Sequence, residues 1–185
     1  MAAYYNVQEF LADAQRLPSK VLFDVPNCGH LEGSAEKDLR AGTTLELPYW
    51  LANKLCDEDL IDLTLPRPYD HRIRQALIAA PEAVYLRNLG GGGGSFYAGG
   101  VRLLTLTEDA DLAKILEESF KARLVQIMDQ SQHSLADHGG EGAAYEFSQG
   151  LDTWEKELFQ LGETSAKQIK SWFDAKGKKY GSGGR

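Results

Sequence analysis

This chain of 185 residues has few of the residue types that mark secreted, membrane or metal-binding proteins. Its two cysteines, Cys28 and Cys56, lie far apart with no CxxC pair, which favours a reducing compartment over a disulfide framework. No run of 18 apolar residues is present, and no basic segment followed by an apolar one opens the chain. The four histidines have no partner at a convincing metal-ligand spacing. We therefore expect a soluble intracellular protein with no membrane span, metal or cofactor.

Basic side chains are also too few for a stand-alone nucleic-acid-binding protein. The net charge is −7, whereas phosphate binding requires clustered Lys and Arg. The charge is unevenly spread, with −9 on residues 107–163 and +5 on residues 164–185. Such blocks are typical of solvated faces, and they can also orient docking between oppositely charged partners. Direct contact with DNA is doubtful on these grounds.

Glycine is the exception to this scarcity, because residues 90–94 form a run of five. Such a run suggests a phosphate-binding loop, but a Walker loop needs Gly-Lys-Ser/Thr at the start of a helix. The run lacks the lysine, and we expect extended segments at 84–86 and 101–106 rather than a following helix. No GxSxG nucleophile motif occurs either. The sequence predicts a flexible surface loop and no catalytic residue.

The first part of the chain has short elements punctuated by proline. Helical spacing predicts a helix over residues 7–17, and β-prone segments end at or before Pro26, Pro48 and Pro66. The predicted strands cover 20–25, 43–47 and 61–65, with a helical turn at 49–55. This part is a small β-containing N-terminal domain, residues 1–65.

Helical periodicity dominates after Pro66. Helices are predicted over 68–80 and 109–132, and the second has apolar residues around nearly half its circumference, which is typical of a central helix. We predict a helical domain over 66–180 and a flexible tail over 181–185. The fold class is α+β, mainly α, with a larger helical bundle after the small N-terminal domain.

An apolar stripe at helical spacing runs through residues 143–173. A helix of that length is about 45 Å long, which exceeds the diameter of a compact domain of this size. The stripe therefore predicts a bundle that partner subunits complete. Its candidate interface residues are Phe147, Leu151, Trp154, Leu158, Leu161, Ile169, Trp172 and Phe173.

Two residues of the preceding long helix join this candidate interface, Phe120 and Arg123. Arg123 projects within the apolar band and has two interpretations. Its stem packs while the guanidinium reaches solvent or a carboxylate of the same chain, which we favour, or it forms an ion pair between subunits.

Five sequence words, in order, resemble the Psf-three family, the third Psf subunits of the GINS complex. They are LELPYWLA at 45–52, LP at 65–66 with Tyr69, SFYAG at 95–99, IMDQSQ at 127–132 and WEKELFQLG at 154–162. The resemblance implies a non-catalytic structural subunit that assembles with the first Psf, the second Psf and Sld-five. That tetramer would join the MCM ring and the Cdc forty-five protein to form the active replicative helicase in the nucleus.

Two other functions remain open from the residues alone. One is a helical adaptor or scaffold outside replication. The other is a small nucleotide-binding enzyme that uses the loop at 90–94.

Overall fold

The computed structural model describes residues 7–33, 36–89, 95–133 and 141–181. Its N-terminal part is a three-stranded antiparallel sheet with strand order β2-β1-β3. The elements are α1 (Val7–Asp13), β1 (Arg16–Val21), β2 (Thr44–Pro48), α2 (Tyr49–Asp57) and β3 (Ile61–Leu63).

The sheet buries one hydrophobic core. Leu17 and Val21 of β1 pack with Leu45 and Leu47 of β2, and Ala52 of α2 closes the core from the side. In the β1–β2 register Leu17 lies opposite Leu47, so that the apolar residues of the two strands share a face. The predicted strands 43–47 and 61–65 are confirmed to within a few residues.

The start of β1 differs from the sequence expectation. We predicted a helix to residue 17 and a strand from residue 20, whereas α1 ends at Asp13 and β1 begins at Arg16. Leu17, which fits the helical spacing, is instead 3% exposed in the centre of the sheet. Pairing with strands on both sides outweighed the local periodicity, because a central strand position buries more surface than the end of a short helix.

The rest of the described chain is helical. Short 3-10 turns at Arg67–Tyr69, Pro81–Ala83 and Leu86–Asn88 connect its first elements. The α-helices are α3 (His71–Ala79), α4 (Phe96–Thr107), α5 (Ala110–His133), α6 (Glu141–Gln149) and α7 (Thr153–Gly181).

Helix α5 is the central element, as predicted. It contacts α3, α4 and α7. Leu112 and Leu116 belong to a core with Tyr69, Phe96 and Leu103. The fold class, a small sheet followed by a mainly helical bundle, is confirmed.

The N-terminal part is docked on α4. Arg102 forms a 2.9 Å ion pair with Asp13 of the α1 helix, and its guanidinium lies over the Tyr49 ring. The Tyr49 hydroxyl and Thr105 Oγ1 are 2.9 Å apart. Because Arg102 and Thr105 both lie on α4, this helix contacts α1 and α2 of the N-terminal part.

Two predictions for the helical part are wrong. Residues 101–106 lie within α4 rather than in an extended segment. At 84–86 the expectation is confirmed in part, because Val84 and Tyr85 are extended and Leu86 begins a 3-10 turn. The single helix over 143–173 is divided into α6 and α7 at residues 150–152. Gly150 lies against Tyr85, where a Cβ would come 2.9 Å from the ring, so the break allows a close contact between distant segments.

Within the described ranges, no helix is both long and apolar enough to cross a membrane. The predicted glycine loop at 90–94 and residues 182–185 of the predicted tail lie outside the described residues.

Candidate partner interface

The stripe that the sequence indicated lies mainly on α7, which packs alongside α5 in parallel. Arg123 of α5 contacts Glu155, and four residues later Ile127 packs in one cluster with Phe159. Ser131 then lies beside Gly162. Each helical turn of α5 therefore meets one turn of α7.

Gly162 allows the closest approach of the two helices. A Cβ at this position would lie 2.3 Å from Ser131 Oγ and 2.8 Å from its Cβ. Such a distance is far inside van der Waals contact, so any larger residue must push α5 and α7 apart.

A buried ion pair lies at the start of this contact. Arg123 Nε donates to Glu155 Oε1 at 2.6 Å, and Arg123 Nη2 donates to Glu155 Oε2 at 2.9 Å. Arg123 Nη1 also donates to the carbonyls of Pro81 and Val84 at 2.7 and 2.9 Å. Glu155 is 0% exposed and Arg123 is 4% exposed. This arrangement is the intrachain carboxylate that we favoured for Arg123.

Asp152 caps α7 from a fully buried position. Its Oδ2 accepts from the Trp154 N–H at 3.1 Å, and its own N–H donates to Glu155 Oε2 at 3.0 Å. The bond to Glu155 is the glutamate half of a capping box, and the Asp152 carboxylate caps the amide of Trp154, one residue before Glu155. The other carboxylate oxygen, Oδ1, accepts from the Phe96 N–H of α4 at 2.7 Å.

Burial and neighbouring charges shift the pKa values of Asp152 and Tyr97. Burial raises the pKa of Asp152 to about 6, although the backbone N–H groups of Trp154 and Phe96 oppose that rise. Burial, together with the nearby charge of Glu155, also raises the pKa of Tyr97, whose hydroxyl donates to Glu155 Oε1 at 3.1 Å. No described His, Cys, Asp or Glu residues are grouped so as to hold a metal ion.

The outward face of α7 is apolar and uncovered. Trp154 and Leu158 are 38% and 37% exposed, and Trp154 stacks on Tyr97 with ring centroids 6.3 Å apart. Further along, Leu161, Ile169 and Trp172 are each more than half exposed. Steps of three and four residues place all five on one face.

Beyond residue 162, α7 also loses its neighbour on the inner side. Since Ser131 lies beside Gly162 and α5 ends at His133, the last turns of α7 extend past the end of that helix. A groove of about 650 Å³ opens there, lined by Ala166, Ile169 and Phe173 of α7 with Gln132 of α5. Phe173 is 62% exposed and lies edge-on to Trp172.

The structure divides the ten predicted interface residues into two groups. Leu151 and Arg123 are buried within the chain, and Phe120 and Phe147 are half-buried against its cores. The uncovered residues are Trp154, Leu158, Leu161, Ile169, Trp172 and Phe173.

Sequence reasoning missed three residues that hold α7 in place: Asp152, Glu155 and Phe159. Glu155 lies outside the apolar stripe that the sequence indicates, and it is fully buried. The spacing Asp-x-x-Glu at 152–155 is a capping-box signal and could have located the helix start. No local signal identifies Arg123 as the partner of Glu155, because the two are 32 residues apart.

A helix does follow the glycine run, contrary to our expectation, since α4 begins at Phe96. The first N–H of α4 is already bonded to the Asp152 carboxylate. An anion therefore occupies the place that a phosphate takes at such a helix start. The lysine of a Walker loop is missing from the sequence.

Comparison with known proteins covers nearly the whole chain. Residues 5–57 match the family model described as PSF3 N-terminal domain. Residues 69–174 match the family model described as GINS complex protein helical bundle domain. The matched segments leave 58–68 between them, which includes the predicted domain boundary.

Named relatives agree with these matches. The chain is 37% identical to the DNA replication complex GINS protein PSF3 of Phaeosphaeria nodorum, over 93% of this chain and 96% of that protein. It is 36% identical to the psf3 protein of Aspergillus fumigatus, over 92% and 96%. For the PSF3 protein of Mus musculus the identity is 32%, over 91% of this chain and 79% of that protein. The chain therefore belongs to the PSF3 family of GINS complex proteins.

Proposed function

We propose that this chain is a non-catalytic structural subunit of a heterotetrameric GINS complex, and that the uncovered face of α7 binds other GINS subunits. The observation that carries the proposal is a long helix whose large apolar side chains are left open to solvent by the described part of the chain. Ile169, Trp172 and Phe173 are each more than half exposed.

The geometry of α7 supports the proposal that its apolar face binds a partner instead of facing solvent. Because α7 continues to Gly181, the part after Thr164 extends about 25 Å past the end of α5. Helices in water draw most of their stability from packing of an apolar face. A projecting helix with Trp and Phe on it is thus suited to insertion between helices of a neighbour, where large aromatics contribute most to association.

The wider role follows from the complex. In this proposal the tetramer contains the first Psf, the second Psf and Sld-five beside this chain. It joins the MCM ring and the Cdc forty-five protein to form the active replicative helicase in the nucleus. The names of the relatives, which place them in a DNA replication complex, support this assignment.

The test is co-expression of the four chains, followed by size-exclusion chromatography with mass measurement. We expect a 1:1:1:1 complex, whereas this chain alone self-associates at tens of micromolar because its apolar face is uncovered. Replacing Trp172 and Phe173 together by Ala should reduce recovery of the complex, since truncating one buried interface aromatic costs ~2 kcal/mol, or about thirtyfold in affinity. Trp154→Ala should act in the same direction.

Val125→Ala provides the matched control. Val125 is 70% exposed on α5, so its truncation should leave recovery unchanged. Unaltered assembly of the Trp172/Phe173 double variant would contradict the proposed interface. A monodisperse, folded monomer at high concentration, with no capture of GINS subunits or the MCM ring, would contradict the proposed function itself.

A further inference from the structure

We propose that Asp152 is a positioning residue: its single carboxylate joins the start of α7 to the start of α4, and so sets how the exposed face of α7 stands relative to the N-terminal sheet. This inference rests on the proposed function, because the position of α7 matters only if its face binds partners.

The first observation concerns α4, which lacks a cap of its own. Ser95 occupies the N-cap position and makes no side-chain hydrogen bond to the helix. The five residues before it are glycines, which have no side chain that could cap. The Phe96 N–H is instead bonded to Asp152, 56 residues later in the chain.

The second observation is that the same carboxylate caps α7. Oδ1 accepts from Phe96 and Oδ2 accepts from Trp154, so each oxygen serves a different helix. Asp152 is 0% exposed. The bond from the Phe96 N–H is buried, so losing it leaves a buried N–H unpaired.

The third observation is that α4 also contacts the N-terminal part of the chain. Arg102 and Thr105 of α4 hold the α1–α2 side of the N-terminal part through Asp13 and Tyr49. Polar contacts thus link α1 and α2 to α4, and the Asp152 carboxylate links the start of α4 to α7. Glu155 and its partner Arg123 extend these contacts to α5.

The charges around Asp152 come from every packed element. Glu155 of α7 carries the same charge as Asp152, and Tyr69, just before α3, has an acidic hydroxyl. Arg123 of α5 is the nearby cation. Arg123 is held bidentately by Glu155, so Asp152 depends on backbone N–H donors, those of Phe96 in α4 and of Thr153 and Trp154 in α7. Its role is therefore to fix the two helix starts rather than to neutralise the arginine.

The experiment separates single from double capping in the assembled complex. Asp152→Ser retains a good N-cap for α7, but its short hydroxyl cannot also reach Phe96. Asp152→Ala removes both caps. Glu157→Gln, an exposed change on the same helix, is the control.

Amide hydrogen exchange gives the first readout. In Asp152→Ser we expect about tenfold faster exchange at the Phe96 amide, with the Trp154 amide within about threefold of the original chain. In Asp152→Ala both amides should exchange about tenfold faster, and Glu157→Gln should alter neither.

A distance measurement gives the second readout, which loss of stability alone would not move. Spin labels at two exposed sites, Lys20 in the sheet and Lys167 on α7, are introduced after Cys28 and Cys56 are replaced by Ser. Asp152→Ser should shift or broaden the distance distribution relative to Glu157→Gln.

An unchanged distribution and an unchanged Phe96 amide in Asp152→Ser would overturn the inference. Its failure is distinguishable from failure of the proposed function, because the Trp172/Phe173 double variant tests partner binding while leaving the Asp152 bonds intact. A shift in the label distance with full assembly would retain the positioning role and would show that assembly tolerates it.

Discussion

The two halves of α7 share one hydrophobic period and have opposite surroundings. Residues 153–162 lie against α5, with Glu155 and Phe159 buried and Gly162 in tight contact with Ser131. Residues 163–181 have lost that neighbour, and Trp172 and Phe173 are 52% and 62% exposed. The first half of the helix thus packs its inner face on the chain's own core and leaves only its outer face open, whereas α5 covers neither face of the second half.

This difference shows that periodicity alone does not tell a core face from an interface face. Both halves repeat apolar residues at steps of three and four, but the inward residues Glu155, Phe159 and Gly162 lie beside the stripe that the sequence indicated rather than within it. Substitution of the inward residues of the first half should therefore change the free energy of unfolding, whereas substitution of the outward residues, which include all described large apolar residues of the second half, should change partner binding.

The largest expected effect is at the buried ion pair. Glu155→Gln leaves the Arg123 guanidinium without an anion in a fully buried site, which should lower the free energy of unfolding by about 3–5 kcal/mol. Urea unfolding of the dilute chain, followed by circular dichroism, measures it. Glu117→Gln, in the exposed pair with Lys121, is the control and should have no measurable effect. Equal effects of the two variants would mean that the Arg123–Glu155 pair contributes no more than an exposed ion pair.

The next effect is the pH dependence at Asp152. Burial raises the pKa of its carboxyl from 3.8 to about 6, so between these values the native chain binds more protons than the unfolded chain. The contribution of Asp152 to the free energy of unfolding is therefore fully present below pH 3.8 and is lost as pH rises through 6. The loss amounts to ~3 kcal/mol.

Asp152→Asn cannot titrate and should lack this contribution. Comparing urea unfolding of both chains from about pH 4 to about pH 7, we expect the original chain to lose stability relative to the variant as pH rises. A parallel pH dependence in the two chains would mean that the buried carboxyl titrates normally. When ionised, the Asp152 carboxylate lowers the free energy of unfolding while it still bonds the starts of two helices. That combination is expected of a group whose role is to position those helices.

A smaller change in the free energy of unfolding is expected at Gly162, and its sign distinguishes a tightly packed site from an open helix. In an open helix Gly→Ala stabilises by roughly 1 kcal/mol, whereas here the added methyl would meet Ser131 and should destabilise by about 1–3 kcal/mol. Urea unfolding gives the sign. Adding Ser131→Gly should recover part of the loss, and Ser165→Ala, an exposed change nearby, should be close to neutral. Stabilisation by Gly162→Ala would show that the helices are less closely packed than described.

The smallest effect on stability is expected in the distal half. The Trp172/Phe173 double Ala variant should change the free energy of unfolding of the dilute chain by less than about 0.5 kcal/mol, since both side chains are surface groups there. The same urea measurement applies, and Phe159→Ala is the buried counterpart, with a loss of about 3–5 kcal/mol. Similar losses in the two variants would place Trp172 and Phe173 in the chain's own core.

Much of the fold could be predicted locally. Strands β2 and β3, the helix over residues 109–132 and the change of character near Pro66 all follow from period, proline and β-propensity. The errors occur where distant segments meet. Leu17 lies in a strand because it pairs with Leu47 of β2, and the helix over 143–173 is broken where Gly150 meets Tyr85.

The candidate interface was predicted in part for the same reason. Hydrophobic period located Trp154, Ile169 and Trp172, because a helix face is a local property. It could not separate them from Leu151, which is 3% exposed, since exposure depends on which other segments of the chain pack against each turn.

The sequence by itself determined the family, the fold class, the central helix and the presence of an apolar helix face near the C-terminus. These follow from short sequence motifs and from hydrophobic periodicity, which are local properties of the chain. Only the tertiary structure decided which half of α7 is left open, that Arg123 and Glu155 form an internal pair, and that Asp152 caps two helices. Those features depend on residues brought together across 32 and 56 positions of chain, which no local pattern records.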